Sequence, residues 1–331
     1  MSRKLDILVP MYNETEDVVK CLFDSIAVQQ GINLKDDVGV IVCCDGGKAR
    51  LSDEFIAKYP FTVEFYLCEH GGVSATRNAC LDHSTADYVM WCDCDDMFYS
   101  VCGIYLVFRE IDDLGGFDSL TSLFIEESRD PNTKKTIYLN RETDSTFVHG
   151  KVHKRQYLLD KHIRWNPNLT IHEDSYFNIL CQNLSDKVKY SPTPFYLWKW
   201  RDDSVCRHDP KYILKTYTNL VDSNTALVEE FLQRGMKDKA QFYVAFMIFD
   251  AYYTMNKPEW INQENKEYRD KTELRFAEYY KKHKKLWSDV PDITKMQISN
   301  GVRTRSVNEG MVMESITIDK WLKSIQKLLK K

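Results

Sequence analysis

The chain has 331 residues, 43% of them hydrophobic and 13% aromatic, enough to bury a full core and to add a second subdomain. That composition excludes a disordered tail. A formal net charge of −4 gives no basis for holding nucleic acid by bulk electrostatics, which leaves nucleic acid as a substrate only. No window reaches the roughly 18 apolar residues of a membrane span, and the N-terminus leads straight into a strand-like run, so a soluble, cytoplasmic protein is the expectation. The ten cysteines include no CxxC pair, and several sit in apolar runs such as Val40 to Cys44. Buried reduced thiols fit that pattern better than a disulfide framework, and Cys92 with Cys94 lacks the second pair that a zinc site needs.

From the N-terminus, Leu5 to Pro10 reads as an apolar strand, and Asn13 with Glu16 has the spacing of a capping box. Val18, Val19, Leu22, Phe23 and Ile26 then repeat at helical spacing, and Gly31 offers the stop. Val38 to Cys44 is a second strand, ended by Asp45-Gly-Gly47, with a helix after it that sets Leu51, Phe55, Ile56 and Tyr59 on one side. Thr62 to Cys68 is a third strand, His70 to Gly72 a turn, and Val73 to His83 a third helix. Tyr88 to Trp91 is a fourth apolar run, which stops at Asp93, Asp95 and Asp96. Strands of this kind alternating with helices predict an α/β fold, a Rossmann-like, mostly parallel sheet with helices on both faces. Ligands of such sheets sit at the carboxyl ends of the strands, where this chain places Pro10 to Asn13, Asp45, His70 to Gly72 and Asp93 to Asp96.

A core strand has no use for three carboxylates at its end. Acids at i and i+2 point the same way, and i+3 follows once the chain bends. Asp95 and Asp96 repel each other if buried, so water or a divalent ion must compensate them. The ion is the favoured reading; a solvated acidic turn capping the next helix is the alternative. Gly71 and Gly72 open a helix whose first N–H groups suit a phosphate, and Arg77 lies one turn in. There is no GxGxxG after a strand and no Walker-type loop. A nucleoside diphosphate bridged by a divalent metal fits what remains.

In their order, these motifs resemble those of family 2 glycosyltransferases with the GT-A fold. The resemblance is carried by Pro10-x-Tyr12-Asn13-x-Thr15, by Asp45-Gly-Gly47, by the run His70 to Asn78 and by Trp91 to Asp96. Val148 to Arg155, His172 to Ser175 and Arg201 to Ser204 extend it, so that it covers about residues 5 to 206. Two departures stand out: Cys44 where the family often has a first acid, and His70 where it commonly has Asn.

The resemblance implies a metal-dependent inverting glycosyltransferase that moves a sugar from a nucleotide sugar, above all a UDP-sugar, to an acceptor hydroxyl. That hydroxyl belongs to a glycan, a lipid-linked sugar, a protein or a modified nucleobase. On the donor side it implies Pro10, Tyr12, Asn13 and Glu14 after the first strand, and Asp45 at the base. Gly72 and Arg77 follow at the diphosphate, then Asp93 at the ribose with Cys94 beside it. Arg201 and Ser204 are implied in a closing loop. Mn or Mg would be held by Asp95 with Asp96 assisting, and Asp174 would be the single base of an in-line displacement. Lys151, His153, His172 and Glu173 are implied on the acceptor side. A sugar-1-phosphate nucleotidyltransferase would need a glycine-rich, lysine-bearing loop after the first strand, which Met11 to Glu14 is not. A non-catalytic nucleotide-sugar or glycan-binding module is the other alternative.

Local readings compete at several positions. Glu173 and Asp174 also suit the first turn of a helix carrying Tyr176, Phe177, Ile179 and Leu180. Lys151, His153, Lys154 and Arg155 read either as phosphate or acceptor contacts or as a solvated loop face. His149, His153 and His172 could be drawn as a metal trio, but the aspartates offer a better hard-cation site. Arg129 to Thr146 reads as a turn joining Ser119–Ile125 to Thr136–Leu139 as a strand pair. Past residue 209, Tyr212 to Arg234, Ala240 to Met255 and a stretch from Pro258 to the lysines at 281–285 have helical spacing. The aromatics from Phe242 to Tyr253 suit core packing first and an acceptor groove second. The lysine clusters suit solvated faces first, and weak contact with a membrane or polyanion second. The expected organisation is a catalytic domain over 1–208, with a nucleotide-sugar half (1–98) and an acceptor half (99–208), then a helical region over 209–331.

Overall fold

The computed structural model describes residues 3–113, 115–141, 146–202, 212–262, 265–308 and 317–330. The chain divides into two compact units, Met1–Ser204 and Val205–Lys331. The first unit opens with β1 (Leu5–Met11), α1 (Glu16–Ala27), α2 (Leu34–Asp37), β2 (Val38–Asp45), α3 (Asp53–Ile56) and β3 (Thr62–Cys68). It continues through α4 (Val73–His83), β4 (Tyr88–Trp91), β5 (Met97–Phe98), α5 (Gly103–Asp113), β6 (Ser119–Ser122), β7 (Phe124–Arg129) and β8 (Thr136–Arg141). It closes with β9 (Lys151–Lys154), α6 (Arg155–Asp160), α7 (Glu173–Asn183), β10 (Val188–Ser191) and β11 (Tyr196–Trp198).

Seven strands form the main sheet in the order β10-β6-β9-β4-β1-β2-β3, and β9 alone runs against the others. The expected mostly parallel sheet is therefore present, with helices packed around it. All eight residues of β2 are buried, as near-continuous apolar strands covered on two faces should be, while edge strand β3 is half-exposed. Asp6, buried within β1, accepts hydrogen bonds from the Ser84 hydroxyl and the N–H groups of Thr85 and Ala86, which fixes the turn feeding β4.

Three local expectations are corrected. The first helix begins at Glu16 behind Thr15, not at Asn13, and the Glu16 carboxylate accepts from the Ser52 N–H instead of closing a capping box. The helix expected around Leu51 to Tyr59 is a single turn, α3. Ser119 to Ile125 is not one strand: β6 enters the main sheet, whereas β7 pairs antiparallel with β8 in a second sheet of order β5-β11-β7-β8.

The second unit is helical: α8 (Tyr212–Lys215), α9 (Tyr217–Gln233), α10 (Lys237–Met255), α11 (Pro258–Ile261), α12 (Lys266–Ser288), α13 (Asp292–Asn308) and α14 (Ile318–Lys327). The α10 aromatics mostly pack inward: Phe249 meets Trp287, Tyr252 meets Trp321 and Tyr243 stacks on Phe231, with Phe242 left exposed. The four lysines of 281–285 face solvent, and His283 between them is buried. No described helix is long and apolar enough to cross a membrane.

Candidate active site

The carboxyl ends of the parallel strands β1, β2, β3 and β4 deliver polar residues to one edge of the sheet. After β1, the Tyr12 N–H donates to Glu14 at 2.7 Å, and the half-exposed Tyr12 ring lies 5.5 Å from that of His70. Asn13 and Glu14 border a cavity of about 390 Å³ that reaches Ala49 and Arg50. At Gly47 a Cβ would stand 1.9 Å from the Tyr12 carbonyl oxygen, so only glycine lets these two loops touch. Asp45 ends β2 with its carboxylate accepting from the N–H groups of Gly71 (2.7 Å) and Gly72 (3.0 Å), while the His70 imidazole stands 3.1 Å away. The N–H groups expected to face a phosphate are thus directed at Asp45, and Gly72 takes the left-handed φ of 82° that glycine permits.

Arg77, on α4, is the centre of the arrangement. Its Nη1 contacts Glu173 at 3.0 Å and Asp174 at 2.6 Å, and its Nη2 lies 3.4 Å from Asp93. The guanidinium also lies 4.4 Å from the Trp165 ring centre, and Trp165 in turn stacks on Phe177 at 4.1 Å. Asn78, the next residue of α4, holds Trp165 in place: its side-chain amide donates to the Trp165 carbonyl and accepts from the Trp165 N–H. Sequence reading placed Arg77 as a cation for the diphosphate; here it is buried and engaged by three carboxylates. Those acids raise its pKa against the pull of burial, so it stays charged. Burial, with repulsion from Asp95 and Asp174, pushes Asp93 up to about 6 although Arg77 opposes it. Burial and Asp174 likewise push Glu173 up to about 7.

Glu173 and Asp174 occupy the first turn of α7, and His172 before them takes a left-handed φ of 64°, an uncommon conformation for a side chain with a Cβ. Asp174 also accepts from the Val148 N–H at 3.2 Å, which ties the base candidate to the segment preceding β9. Asp96 is buried, with one oxygen accepting from the Tyr196 hydroxyl at 2.5 Å and the other from the Lys199 N–H at 2.9 Å. Burial and the neighbouring Asp93 and Asp95 raise its pKa well above the usual carboxylate range.

The metal pair expected from sequence was Asp95 with Asp96. The structure groups Asp96 with Asp93 and His149, one ligand atom from each lying within 4.8 Å of the others, and sets Asp95 on Arg201 at 2.8 Å. This oxygen-rich set with one imidazole fits a divalent cation of the Mn class. Cys94 is part of the buried core. Lys151 and His153 lie on β9 rather than on a loop, and both are buried: Lys151 donates to the Phe147 carbonyl, and His153 pairs with Ser119. A solvated face is ruled out for these two. Pro10 is the penultimate residue of β1, before Met11. Ser204 lies outside the described residues. His149, His153 and His172 do not form a metal trio; among the described residues His149 joins the aspartates instead.

Three participants escaped sequence reading. Trp165 sits in a polar loop with no periodicity, Tyr196 is one residue of a three-residue strand, and His149 was grouped with other histidines rather than with acids 53 and 56 residues earlier. The only available signal was the density of aromatics, Phe147, Tyr196 and Trp198, whose rings all lie within 5.6 Å of that of His149.

Residues 6–149 match the family model for glycosyl transferase family 2, and that segment holds β1 through the loop before β9. Over that segment, less than half of the chain, it is similar to the family 2 glycosyltransferases. The GlyA glycosyltransferase of Streptococcus pneumoniae is 26% identical over 228 residues, covering 62% of this chain. The chain spans about a third (32%) of the length of that curated relative. The structure of S. aureus TarS 1-349 with UDP-GlcNAc superposes at a TM-score of 0.64 with 14% identity, over 99% of this chain and 91% of that one. A mannosyltransferase of Pyrobaculum calidifontis, bound to GDP-Man and Mn2+, matches at 0.50 with 16% identity, over 87% of this chain and 88% of that one. The chain thus has the GT-A fold that its motif order implied.

Proposed function

We propose that the protein is an inverting glycosyltransferase that uses a nucleotide sugar, with UDP-sugars as the donor class and a divalent cation as cofactor. The observation that carries this reading is the Arg77 guanidinium, which joins Asp93 of the acidic strand end to Asp174 of the distant helix. An acid for the donor and a base for the acceptor are thereby held within one side chain of each other. The nucleotide sugars bound to TarS and to the mannosyltransferase support a nucleotide-sugar donor, the UDP-GlcNAc of TarS supports the UDP class, and the Mn2+ of the mannosyltransferase supports the cation.

In this reading Asp174 takes the proton of the acceptor hydroxyl as its oxygen attacks the anomeric carbon, and the bond to the diphosphate breaks with its electron pair leaving on phosphate. Arg77 holds the Asp174 carboxylate, while Val148 fixes its second oxygen. A bound cation would supply charge compensation for the departing diphosphate, held by Asp95 with Asp96, and with Asp93 grouped beside them. Tyr12 and His70, a ring pair beside Asp45, fit a nucleobase. Residues 1–98 serve as the donor half, 99–208 as the acceptor half, and 209–331 as an added helical region.

Release of UDP from a panel of UDP-sugars, with and without Mn2+, tests the reading. Turnover with at least one donor, lost in Asp174→Asn while nucleotide binding persists, is expected. No release from any donor, with binding unaffected by Asp174→Asn, would favour a binding module instead.

A further inference from the structure

We propose that Trp165 is a positioning residue: its indole holds the Arg77 guanidinium in the orientation that presents Asp174 to the acceptor hydroxyl. This rests on the proposed function and adds to it a side chain that has no place at the substrate, since Trp165 is 1% exposed. Arg77 Nη1 bonds Glu173 and Asp174 and Nη2 approaches Asp93, whereas Nε, also buried, has no hydrogen-bond partner among the described residues. A planar group held only at its two outer nitrogens can tilt about the line through them, and the tilt turns the Nη1–H bonds away from the Asp174 oxygen. The Trp165 ring, its centre 4.4 Å from the guanidinium carbon, blocks that tilt and attracts the cation to its face.

The ring is itself fixed from α4 and from α7. On α4, Ser74, Asn78 and Asp82 recur at four-residue intervals, which puts them on one face, and each bonds the loop between α6 and α7 that carries Trp165. The Ser74 hydroxyl donates to the Leu169 carbonyl at 3.2 Å, the Asn78 amide meets both backbone groups of Trp165, and Asp82 accepts the Arg164 fork at 2.7 and 2.5 Å. The guanidinium and the anchor of the ring thus leave α4 from adjacent positions. On the α7 side Phe177, three residues after Asp174, stacks on the indole at 4.1 Å and 4°. Trp91 meets both rings edge-on, at 5.4 and 5.1 Å, which keeps them from sliding apart. The indole N–H is buried with no hydrogen-bond partner among the described residues, a cost that a core-filling phenylalanine or leucine would avoid. Packing alone does not call for an indole here; a broad π face against a buried cation does.

The test uses the full chain. In Trp165→Leu, kcat with a UDP-sugar is expected to fall about tenfold to a hundredfold, while KM for the donor and the affinity for UDP stay within about twofold. Trp165→Phe, which restores an aromatic face, should recover most of the lost rate. Asn78→Ala should cost little further rate in the Trp165→Leu background, because both changes act through one orientation. A second measurement needs neither turnover nor a Trp165 variant. With 15N-labelled arginine, one side-chain Nε–H proton, assigned by its disappearance in Arg77→Lys, is expected upfield of the others under the indole ring current. Unchanged kcat in Trp165→Leu, equal losses of kcat and UDP affinity, Trp165→Phe no more active than Trp165→Leu, or an Arg77 Nε–H without the upfield displacement would overturn the inference. A displaced resonance in a protein that turns over no donor would support the hold of Trp165 on Arg77 while the proposed activity fails.

Discussion

Arg77 Nη1 and Asp174 Oδ1 meet at 2.6 Å although 97 positions separate them in the chain. Because the same guanidinium reaches Glu173 and Asp93, its removal leaves one buried and two partly buried acids without their shared cation. Arg77→Ala should destabilise the protein by roughly 3–5 kcal/mol, the usual cost of breaking a buried ion pair from one side. Arg77→Lys should restore only part of this, because a point charge cannot span three carboxylates as a planar fork does. Urea unfolding of the three proteins measures it, and a loss below about 1 kcal/mol in Arg77→Ala would contradict the central placement of this side chain.

Asp174→Asn keeps the shape and the Val148 contact but abolishes the proton acceptor. The transfer rate should drop about a hundred- to ten-thousandfold. Calorimetry should meanwhile find UDP affinity within about twofold of the original. A matching loss of nucleotide binding would assign Asp174 to the donor side instead.

Glu173 introduces a pH dependence of stability. Its pKa is raised to about 7 in the fold from an ordinary value of 4.5, so the folded chain holds a proton that the unfolded chain releases. The associated stability is complete below about 4.5 and is lost as pH rises through about 7. Glu173→Gln resembles the protonated form, so its Tm should match the original near pH 4.5 and exceed it at pH 8. Melting curves that stay parallel across this range would remove the effect.

His153 acts in the opposite direction. Burial, reinforced by Lys151, lowers its pKa to about 3 from 6.5, so the fold holds it neutral and the unfolded chain protonates it more readily. The stability this brings is present above about 6.5 and is lost as pH falls toward 3. In His153→Gln the decrease in Tm between pH 7 and pH 5 should be smaller, whatever the absolute Tm at pH 7. An equal decrease would mean that other groups dominate acid unfolding.

Much of the first four strands and of α4 could be read directly, because strands covered on both faces leave an almost unbroken apolar run and α4 occupies the predicted residues Val73–His83. The edge that gathers Tyr12, Asp45, Gly72 and Asp93 followed from the same logic. What sequence hides is which charges meet. Nothing in Arg77 itself announces Glu173 and Asp174, nearly a hundred residues later, as its partners. Lys151 and His153 sound like surface residues because alternation over four positions with Val152 is too short to reveal a strand enclosed between β4 and β6. The displaced start of α1 has a plainer cause: Glu16 is occupied by Ser52, a partner 36 positions away.

The reversed direction of β9 governs which part of the chain arrives beside the acids. An antiparallel strand begins at the edge where its parallel neighbours end, so pairing with β4 brings the approach to β9, rather than the exit from it, to the carboxyl side of the sheet. Phe147, Val148 and His149 owe their position to this inversion. Had β9 run with β4, the residues after Lys154 would stand there instead, and an imidazole upstream of the strand would have been carried to the opposite rim, a strand length away.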